Sequence, residues 1–290
     1  MKKQCLAVLA ITLFAASALA DYPADRKAAM DLRNAGKTEE AMAAFVKLAG
    51  SEVTDVQKSD ALDQAVRCAL RLSQNDRAME LALQIPIKPA SITAQMTVMD
   101  QTYKSLEIVT KFKEENIDAW PDVYKGDGFL RRGYAALISK DAAMAEADLK
   151  KAVEYLTNDD AKGDAENHLG DTYRTLLNDN AKAMETYRLV YKTRNEYKQA
   201  YAAIAVAGIL TSQKEFDAAI QELQKVPLAK MDTPQWRGTM LIAYGNTYAA
   251  QGKKPEAIAK YQEALQVKGL PAYHKTTCEK ALQELQSGGK

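Results

Sequence analysis

Histidine and cysteine are the side chains of this sequence best suited to bind a metal or to catalyse a reaction. The chain has two histidines, His168 and His274, far apart in the sequence. Zinc sites and catalytic triads need histidine grouped with other ligands or with a nucleophile. The sequence has no H-x-x-x-H, C-x-x-C or G-x-S-x-G pattern and no glycine-rich phosphate loop. We therefore expect packing or surface roles for both histidines, with His168 placed to face a binding groove.

Carboxylates give two further candidate sites, and neither fits the required spacing. The stretch NDDAKGDAEN at 158–167 resembles a calcium loop with Gly163 as its sixth residue, but Lys162 then falls on a ligand position and Leu169 replaces the bidentate glutamate. We expect a link between helices there, with Asp160 or Asp164 as the N-cap. Other acidic residues, such as the pair at 114–115, are typical of solvated helix faces rather than of a glycosidase pair. We predict no cofactor, no metal and no enzymatic activity, unless the fold assembles an unforeseen carboxylate pair.

The first twenty residues have the layout of a secretory signal peptide. Lys2 and Lys3 precede an uncharged apolar run over 6–20, which ends in small residues at Ala18 and Ala20. That run is shorter than the roughly 20 residues that cross a bilayer, which favours a cleaved leader over a membrane anchor. We expect a mature chain that starts near Asp21 and is periplasmic or secreted.

The net charge argues against two classes of partner, and the cysteine content argues against a disulfide. The formal net charge is +1, and it becomes −1 without the two leader lysines. A nearly neutral chain favours neither nucleic acid nor an anionic membrane surface. Outside the leader only Cys68 and Cys278 remain, which are more consistent with two separate buried thiols than with a disulfide.

The positions of helices follow from a repeated pattern. Small residues recur with an aromatic or aliphatic residue four positions later and an aliphatic one after three more, as at Ala41/Phe45/Leu48, Ala145/Leu149/Ala152, Ala183/Tyr187/Val190, Ala219/Leu223/Val226 and Ala257/Tyr261/Ala264. Twelve or thirteen residues before each leading alanine stands another small residue: Ala29, Gly133, Gly170, Ala207 and Gly245. The 3-and-4 spacing places these residues on one helix face. A period of about 37 residues is typical of stacked helical hairpins.

Turn residues and packing positions agree with hairpins. Gly36 and Gly252 suit positive φ at a helix end, and Pro255 suits the first turn of the next helix. Small residues such as Gly245 let two helices approach closely, while Tyr248 and Tyr261 fill the space beside them. The turn LLNDN carries one extra residue. After Pro271, the segment AYHKTTCEKALQELQ is predicted to be a capping helix.

The stretch AYGNTYAAQGKKPEAIAKYQEAL at 243–265 resembles the tetratricopeptide repeat family, with Gly245, Tyr248, Ala257, Tyr261 and Ala264 at the consensus positions. The resemblance covers roughly 24–50 and 124–266; Phe129 or Leu241 replaces the consensus tryptophan, and the period exceeds the usual 34. It implies an all-α, right-handed solenoid of about seven antiparallel hairpins with a C-terminal capping helix. We divide it into degenerate hairpins over 21–123 and a well-formed array over 124–290, as one continuous solenoid. The register of the hairpin at 91–117 stays open.

The resemblance also implies a binding surface, since this family generally binds partners on the concave face formed by the first helix of each hairpin. Aligned on the small residue, the candidates for that face are Arg131, Tyr134, Asn167, Asp171, Arg174, Tyr201, Thr211 and Asn246. The lysine of the family's carboxylate clamp is missing, because Ile242 and Ile204 stand in its place. Tyrosine, arginine and asparagine favour protein contacts.

We therefore predict an exported, non-enzymatic scaffold that binds a protein or peptide partner, with self-association possible. The alternative is a periplasmic receptor for a small molecule or glycan, which uses a cleft near residues 87–125. Trp120 and Tyr124 motivate this alternative, because aromatic faces stack on sugars.

Overall fold

The computed structural model describes residues 22–102, 112 and 115–287, so the predicted leader at 1–20 lies outside the described residues. The described part forms fourteen α-helices joined by turns and short 3₁₀ or π segments. The all-α fold class is confirmed. Contacts divide the chain into two compact units, Met1–Ala135 and Ala136–Lys290. No helix within the described part is both long and apolar enough to cross a bilayer.

The first unit contains two helical hairpins and a fifth helix. Its helices are α1 (Tyr22–Asn34), α2 (Thr38–Ala49), α3 (Asp55–Arg71), α4 (Asn75–Leu83) and α5 (Lys88–Thr102), and it includes most of α6 (Asp122–Ile138). A capping box begins α3, because the Thr54 hydroxyl accepts from the Gln57 amide and the Gln57 side chain binds the Thr54 amide. The packing positions Ala41 and Phe45 are fully buried, as the pattern predicts.

The second unit continues the same alternation. It contains the end of α6 and the helices α7 (Ala142–Tyr155), α8 (Asp159–Asp171), α9 (Asn180–Leu189), α10 (Glu196–Ser212), α11 (Phe216–Gln224), α12 (Pro234–Ala250), α13 (Lys254–Leu265) and α14 (Ala272–Ser287). The pairs α8/α9, α10/α11 and α12/α13 are hairpins, and the first helix of each packs on the first helix of the next. The predicted capping helix is α14, which packs on both α12 and α13.

Glycines in the first helices allow the tyrosines of the second helices to lie against the backbone. A Cβ on Gly245 would stand 2.6 Å from the ring of Tyr261, and one on Gly170 would stand 2.5 Å from the ring of Tyr187. Both rings are almost completely buried. In these two hairpins the predicted small residue therefore accommodates the aromatic residue of the same hairpin.

The hairpin turns mostly follow the sequence prediction. Gly36 and Gly252 have φ of +78° and +79°, and Pro255 lies in the first turn of α13. The N-cap of α8 is Asn158, whose side chain accepts from the amides of Asp160 and Ala161. The prediction of Asp160 or Asp164 as that N-cap was wrong, because the helix begins earlier and the asparagine side chain already satisfies the first free amides.

The extra residue predicted in the LLNDN turn is accommodated inside the helix that precedes it. Residues Thr172–Leu176 form a π-helical turn directly after α8, in which the Leu177 amide donates to the Thr172 carbonyl. A π turn adds one residue without ending the helix. The insertion therefore changes the direction of the side chains near Arg174, while the hairpin α8/α9 still closes.

The cysteines are single thiols. Cys68 in α3 and Cys278 in α14 are both free and fully buried, in agreement with the sequence prediction. Burial raises the pKa of both thiols. Both thiols therefore stay protonated, and neither is an activated nucleophile.

Candidate binding site

The first helices of the second unit present one continuous set of functional side chains. On α8, Asp164, Asn167, His168 and Asp171 repeat at three- and four-residue intervals, so they share one face. On α10 the same holds for Tyr197, Tyr201, Ile204, Ala205 and Gly208. Helix α12 contributes Trp236 and Thr239, and α14 contributes Tyr273 and His274. These residues line two clefts, which we call cleft A and cleft B.

Cleft A is a mainly apolar depression that connects α8, α10 and α12. Its volume is about 260 Å³, and it is lined by Asp164, Asn167, His168, Asn195, Tyr197, Lys198, Tyr201 and Trp236. The charges in its wall are paired, since Lys198 Nζ lies 2.7 Å from Asp164 Oδ2 and also donates to the Asp160 carbonyl. Asn167 donates to the Lys198 carbonyl at 3.3 Å, which fixes its side chain against α10.

Cleft B is larger and connects α10, α12 and the capping helix. Its volume is about 560 Å³, and it is lined by Arg174, Tyr201, Ile204, Ala205, Gly208, Gln235, Trp236, Thr239, Tyr273 and His274. Tyr201 and Trp236 line both clefts, so they form the ridge between them. A ligand that crosses this ridge would contact both depressions.

The ridge is an aromatic cluster with defined ring geometry. The rings of Tyr201 and Trp236 meet edge to face at 6.5 Å between centroids, and Tyr197 stacks on Trp236 at 6.3 Å with planes 25° apart. Tyr187, buried below, meets Tyr201 edge to face at 6.5 Å. Such pairs contribute about 0.5–1.5 kcal/mol each beyond the area they bury. The ridge is therefore rigid before any ligand binds.

A carboxylate holds this cluster in place. Asp171 Oδ1 accepts from the hydroxyl of Tyr187 at 2.7 Å and from Arg174 Nη2 at 3.0 Å, while its Oδ2 accepts from the hydroxyl of Tyr201 at 2.6 Å. We call these four residues the Asp171 network. Asp171 is 9% exposed. Burial, followed by the charge of Asp171, raises the pKa of Tyr187, so this hydroxyl stays a donor.

Both histidines line the site and stay neutral near pH 7. Burial lowers the pKa of His168, although the nearby carboxylates of Asp171 and Asp164 act in the opposite direction. Burial also lowers the pKa of His274, whose Nε2 lies 2.8 Å from the Thr239 hydroxyl. Within the described part of the chain, no group of three or more histidine, cysteine or acidic side chains is placed to hold a metal ion.

The structure brings four of the eight candidate residues together at the clefts. Asn167 lines cleft A, Arg174 lines cleft B, Tyr201 lines both, and Asp171 lies beneath Tyr201. These residues come from α8, the π turn and α10, which pack against one another.

Two further candidates of this unit line neither cleft. The Thr211 hydroxyl lies 3.2 Å from that of Thr247, which connects α10 to α12. Asn246 is exposed and accepts from the hydroxyl of Tyr261 at 2.7 Å, so it anchors a buried ring.

The last two candidates belong to the first unit. Arg131 makes a bidentate ion pair with Asp100, with distances of 2.8 Å and 2.9 Å, and also contacts Asp127. Tyr134 lines a small pocket of about 130 Å³ together with Arg131, Asp100 and Met99. This pocket is separate from clefts A and B.

Among the aromatic and histidine side chains that line the clefts, sequence reasoning missed Tyr197, Trp236, Tyr273 and His274. The alignment on the small residue considered positions close to it, whereas Tyr197 and Trp236 lie in the first turns of α10 and α12. Tyr273 and His274 lie on the capping helix, where the repeat pattern ends. The signal that the sequence offered for Tyr197 and Trp236 was an aromatic residue near the start of each of two consecutive first helices.

One of the two aromatic residues that motivated the glycan alternative, Trp120, is not accessible, whereas Tyr124 is half-buried. Trp120 is 2% exposed, and its indole Nε1 donates to Glu115 Oε1 at 2.8 Å. A Cβ on Gly128 would stand 2.6 Å from its ring, so that glycine gives the indole room to pack. The interpretation of Trp120 as a sugar-stacking surface was wrong, because an apolar ring with one satisfied N–H packs stably inside.

Comparison with a solved structure gives the same fold. The chain is similar in structure to a tetratricopeptide repeat protein from Parabacteroides merdae, with TM-score 0.50 and 14% identity over 92% of this chain and 99% of the other. A thermophilic TPR protein of Thermus thermophilus aligns with TM-score 0.27 and 15% identity over 90% of this chain and 99% of the other.

One relative is recognisable by sequence. The regulatory protein RapG of Bacillus subtilis is 29% identical over 162 residues, which is 52% of this chain and 44% of that protein. The chain thus spans less than half the length of this relative. Residues 172–286, which contain most of both clefts, match the model described as a tetratricopeptide repeat-like domain. We conclude that residues 172–286 are similar to a tetratricopeptide repeat-like domain and that the part of the chain described by the structure is all-helical.

Proposed function

We propose that the protein is an exported adaptor without enzymatic activity, which binds a protein or peptide partner on the first-helix face of its second unit. The aromatic ridge of Tyr197, Tyr201 and Trp236 between clefts A and B is the observation that carries this proposal. Tyrosine and tryptophan in desolvated clefts are the residues that most often dominate binding energy at protein interfaces. Two clefts beside one rigid ridge suit an extended ligand with more than one anchoring side chain.

The polar groups around the ridge support a peptide ligand. Asp171 and the Asp164–Lys198 pair are held by hydrogen bonds inside the protein, so their side chains do not have to reorganise on binding. A preorganised surface loses less conformational entropy when it binds. The relative RapG is a regulatory protein by name, and a regulatory role for this chain forms part of the proposal.

The experiment is selection of peptides from a displayed library of random heptapeptides on immobilised residues 21–290. We expect enriched peptides that bind the wild type and lose at least tenfold in affinity when Trp236→Ala removes the ridge, since hot-spot aromatic residues contribute about 2 kcal/mol or more. The matched control is Tyr155→Ala, because Tyr155 is a partly exposed aromatic residue on α7 that lines neither cleft.

Two outcomes would contradict the proposal. Peptides that bind Trp236→Ala as tightly as the wild type would place the binding surface elsewhere. A library without any enriched sequence, combined with heat stabilisation by a small metabolite, would favour a small-molecule receptor instead.

Export is tested separately. Expression of the full sequence in a Gram-negative host should give a periplasmic protein whose N-terminus is Asp21, as measured by intact mass. A cytoplasmic protein that retains Met1 would refute the export proposal and leave the binding proposal intact.

A further inference from the structure

Gly208 forms an open floor in cleft B. It lies within α10, is exposed, and a Cβ built on it would have no atom within 4 Å. Glycine inside a helix costs about 1 kcal/mol relative to alanine. At Gly170 and Gly245 a packed tyrosine ring requires the missing side chain, whereas no neighbour requires it at Gly208. What Gly208 provides is access for a ligand to the helix backbone between Tyr201 and Trp236.

The walls of cleft B favour a flat apolar group on that floor. Ile204 and Ala205 flank the glycine on α10, and Trp236 and Tyr273 stand on the neighbouring helices. Tyr273 is 58% exposed and its ring lies 4.1 Å from the ring of His274, so its outer face is accessible to a bound group. An aromatic side chain that lies on Gly208 would find ring edges and faces at its sides, the arrangement that aromatic pairs prefer.

Arg174 gives cleft B its charge. It is the one residue with a full formal charge at pH 7 among the residues that line this cleft, because burial lowers the pKa of His274. Its side chain is 36% exposed, and the hydrogen bond from Nη2 to Asp171 uses one of its five N–H donors. Its Nε is buried without a hydrogen-bond partner, so the donors left for a ligand are those at the end of the guanidinium, which suit a carboxylate.

We propose that cleft B selects an acidic side chain next to an aromatic residue in the bound peptide, with the ring on Gly208 and the carboxylate on Arg174. This inference rests on the proposed function, because it specifies the ligand of the same surface. The π turn at Thr172–Leu176 supports it, since that turn carries Arg174 beyond the regular end of α8 and next to Asp171. The cations of both clefts are ion-paired, Lys198 with Asp164 and Arg174 with Asp171, but Lys198 also donates to the Asp160 carbonyl, whereas Arg174 uses only Nη2 on Asp171.

The test uses three fluorescein-labelled peptides, acetylated and amidated, that differ only in a central Glu-Phe, Gln-Phe or Glu-Ala pair. Their flanking residues come from the sequences that the library enriches. We expect the Glu-Phe peptide to bind the wild type about tenfold more tightly than either of the others, as measured by fluorescence anisotropy. In Arg174→Gln the preference for Glu over Gln should fall to about one, while Arg67→Gln, which alters an exposed arginine on α3, should keep it.

A second variant tests the floor without removing any charge. Gly208→Leu should weaken binding of the Glu-Phe peptide at least tenfold and leave the helical circular dichroism unchanged, since its side chain projects into open space. Ala259→Leu, at an exposed position of α13 outside the clefts, is the matched control and should bind normally.

The outcomes separate this inference from the proposed function. Equal binding of the Glu-Phe and Gln-Phe peptides, or a preference that survives Arg174→Gln, would overturn it even if library peptides still depend on Trp236. A preference that appears only when the carboxylate is the peptide's C-terminus would also overturn the choice of an acidic side chain. If no selected peptide depends on Trp236 for its binding, the proposed function itself is overturned.

Discussion

Replacement of glycine by alanine should have opposite effects at two positions of neighbouring first helices. Gly208 in α10 and Gly245 in α12 both lie inside helices, so alanine improves helix propensity equally at both. Their surroundings differ, because the new Cβ is in open space at position 208 and stands 2.6 Å from Tyr261 Cε1 at position 245. The sign of the effect therefore depends on packing alone.

The magnitudes follow from these distances. At Gly208 the gain in helix propensity is about 1 kcal/mol, with no opposing term. At Gly245 the ring of Tyr261 would have to move, yet it is 2% exposed and its hydroxyl is bound to Asn246 at 2.7 Å. Overpacking of this kind costs about 1–3 kcal/mol, so the net effect is a loss of up to about 2 kcal/mol. The two variants should differ by the overpacking cost, about 1–3 kcal/mol.

The assay is thermal unfolding followed by circular dichroism at 222 nm, together with amide hydrogen exchange. Because stacked hairpins can unfold in parts, a single midpoint is not sufficient. Gly208→Ala should raise the midpoint by a few degrees and slow exchange in α10. Gly245→Ala should lower it and accelerate exchange in α12 and α13.

An equal effect of the two substitutions would refute this reasoning. If both stabilise, Tyr261 moves at little cost and the glycine is not required by packing. If both destabilise, the open space at Gly208 is occupied in solution, and cleft B is not open as described.

Two further predictions concern buried carboxylates. Asp171→Asn should destabilise the protein by about 2–4 kcal/mol in urea unfolding, because it removes the charge paired with Arg174 and turns one of the two oxygens that accept three hydrogen bonds into an N–H donor that faces another donor. A double-mutant cycle with Tyr201→Phe should show coupling, and additive effects would contradict the Asp171 network. Burial raises the pKa of Glu166 from 4.5 to about 7, with the charges of Lys192 and Lys162 acting against it. The folded state therefore binds the proton of the Glu166 carboxyl group more tightly than the unfolded state does. The contribution of this proton to the free energy of unfolding is complete below about pH 4.5 and is lost as the pH rises through 7. Glu166→Gln should be more stable than the wild type at pH 8 by up to about 3 kcal/mol and no more stable at pH 4.5; an equal gain at both pH values would exclude this linkage.

The sequence was sufficient to predict the hairpins because their packing depends on short spacings. Ala257, Tyr261 and Gly245 lie on two adjacent helices, so their pattern already contains the contact that the structure shows. The same holds for the turn glycines Gly36 and Gly252, whose positive φ is a local property.

The binding site was only partly predictable, because its shape depends on contacts between hairpins. Tyr201 was found from its position in the repeat. The ring that it contacts, Trp236, lies in the first turn of α12, which is a different position of the repeat. Trp120 shows the converse error. Its aromatic type indicated binding, whereas its burial depends on Gly128, eight residues later on α6. Residue type alone does not distinguish a packed ring from an exposed one.

The hydrogen bonds between successive hairpins have a consequence for how the second unit folds. Asp171–Tyr201, Thr239–His274 and Thr211–Thr247 join residues 30, 35 and 36 positions apart. Each of them closes a chain loop of about one repeat, so the contact order stays low however many hairpins are stacked. Low contact order is associated with rapid folding. The second unit should therefore begin to fold as soon as two neighbouring hairpins have been synthesised, before the capping helix exists.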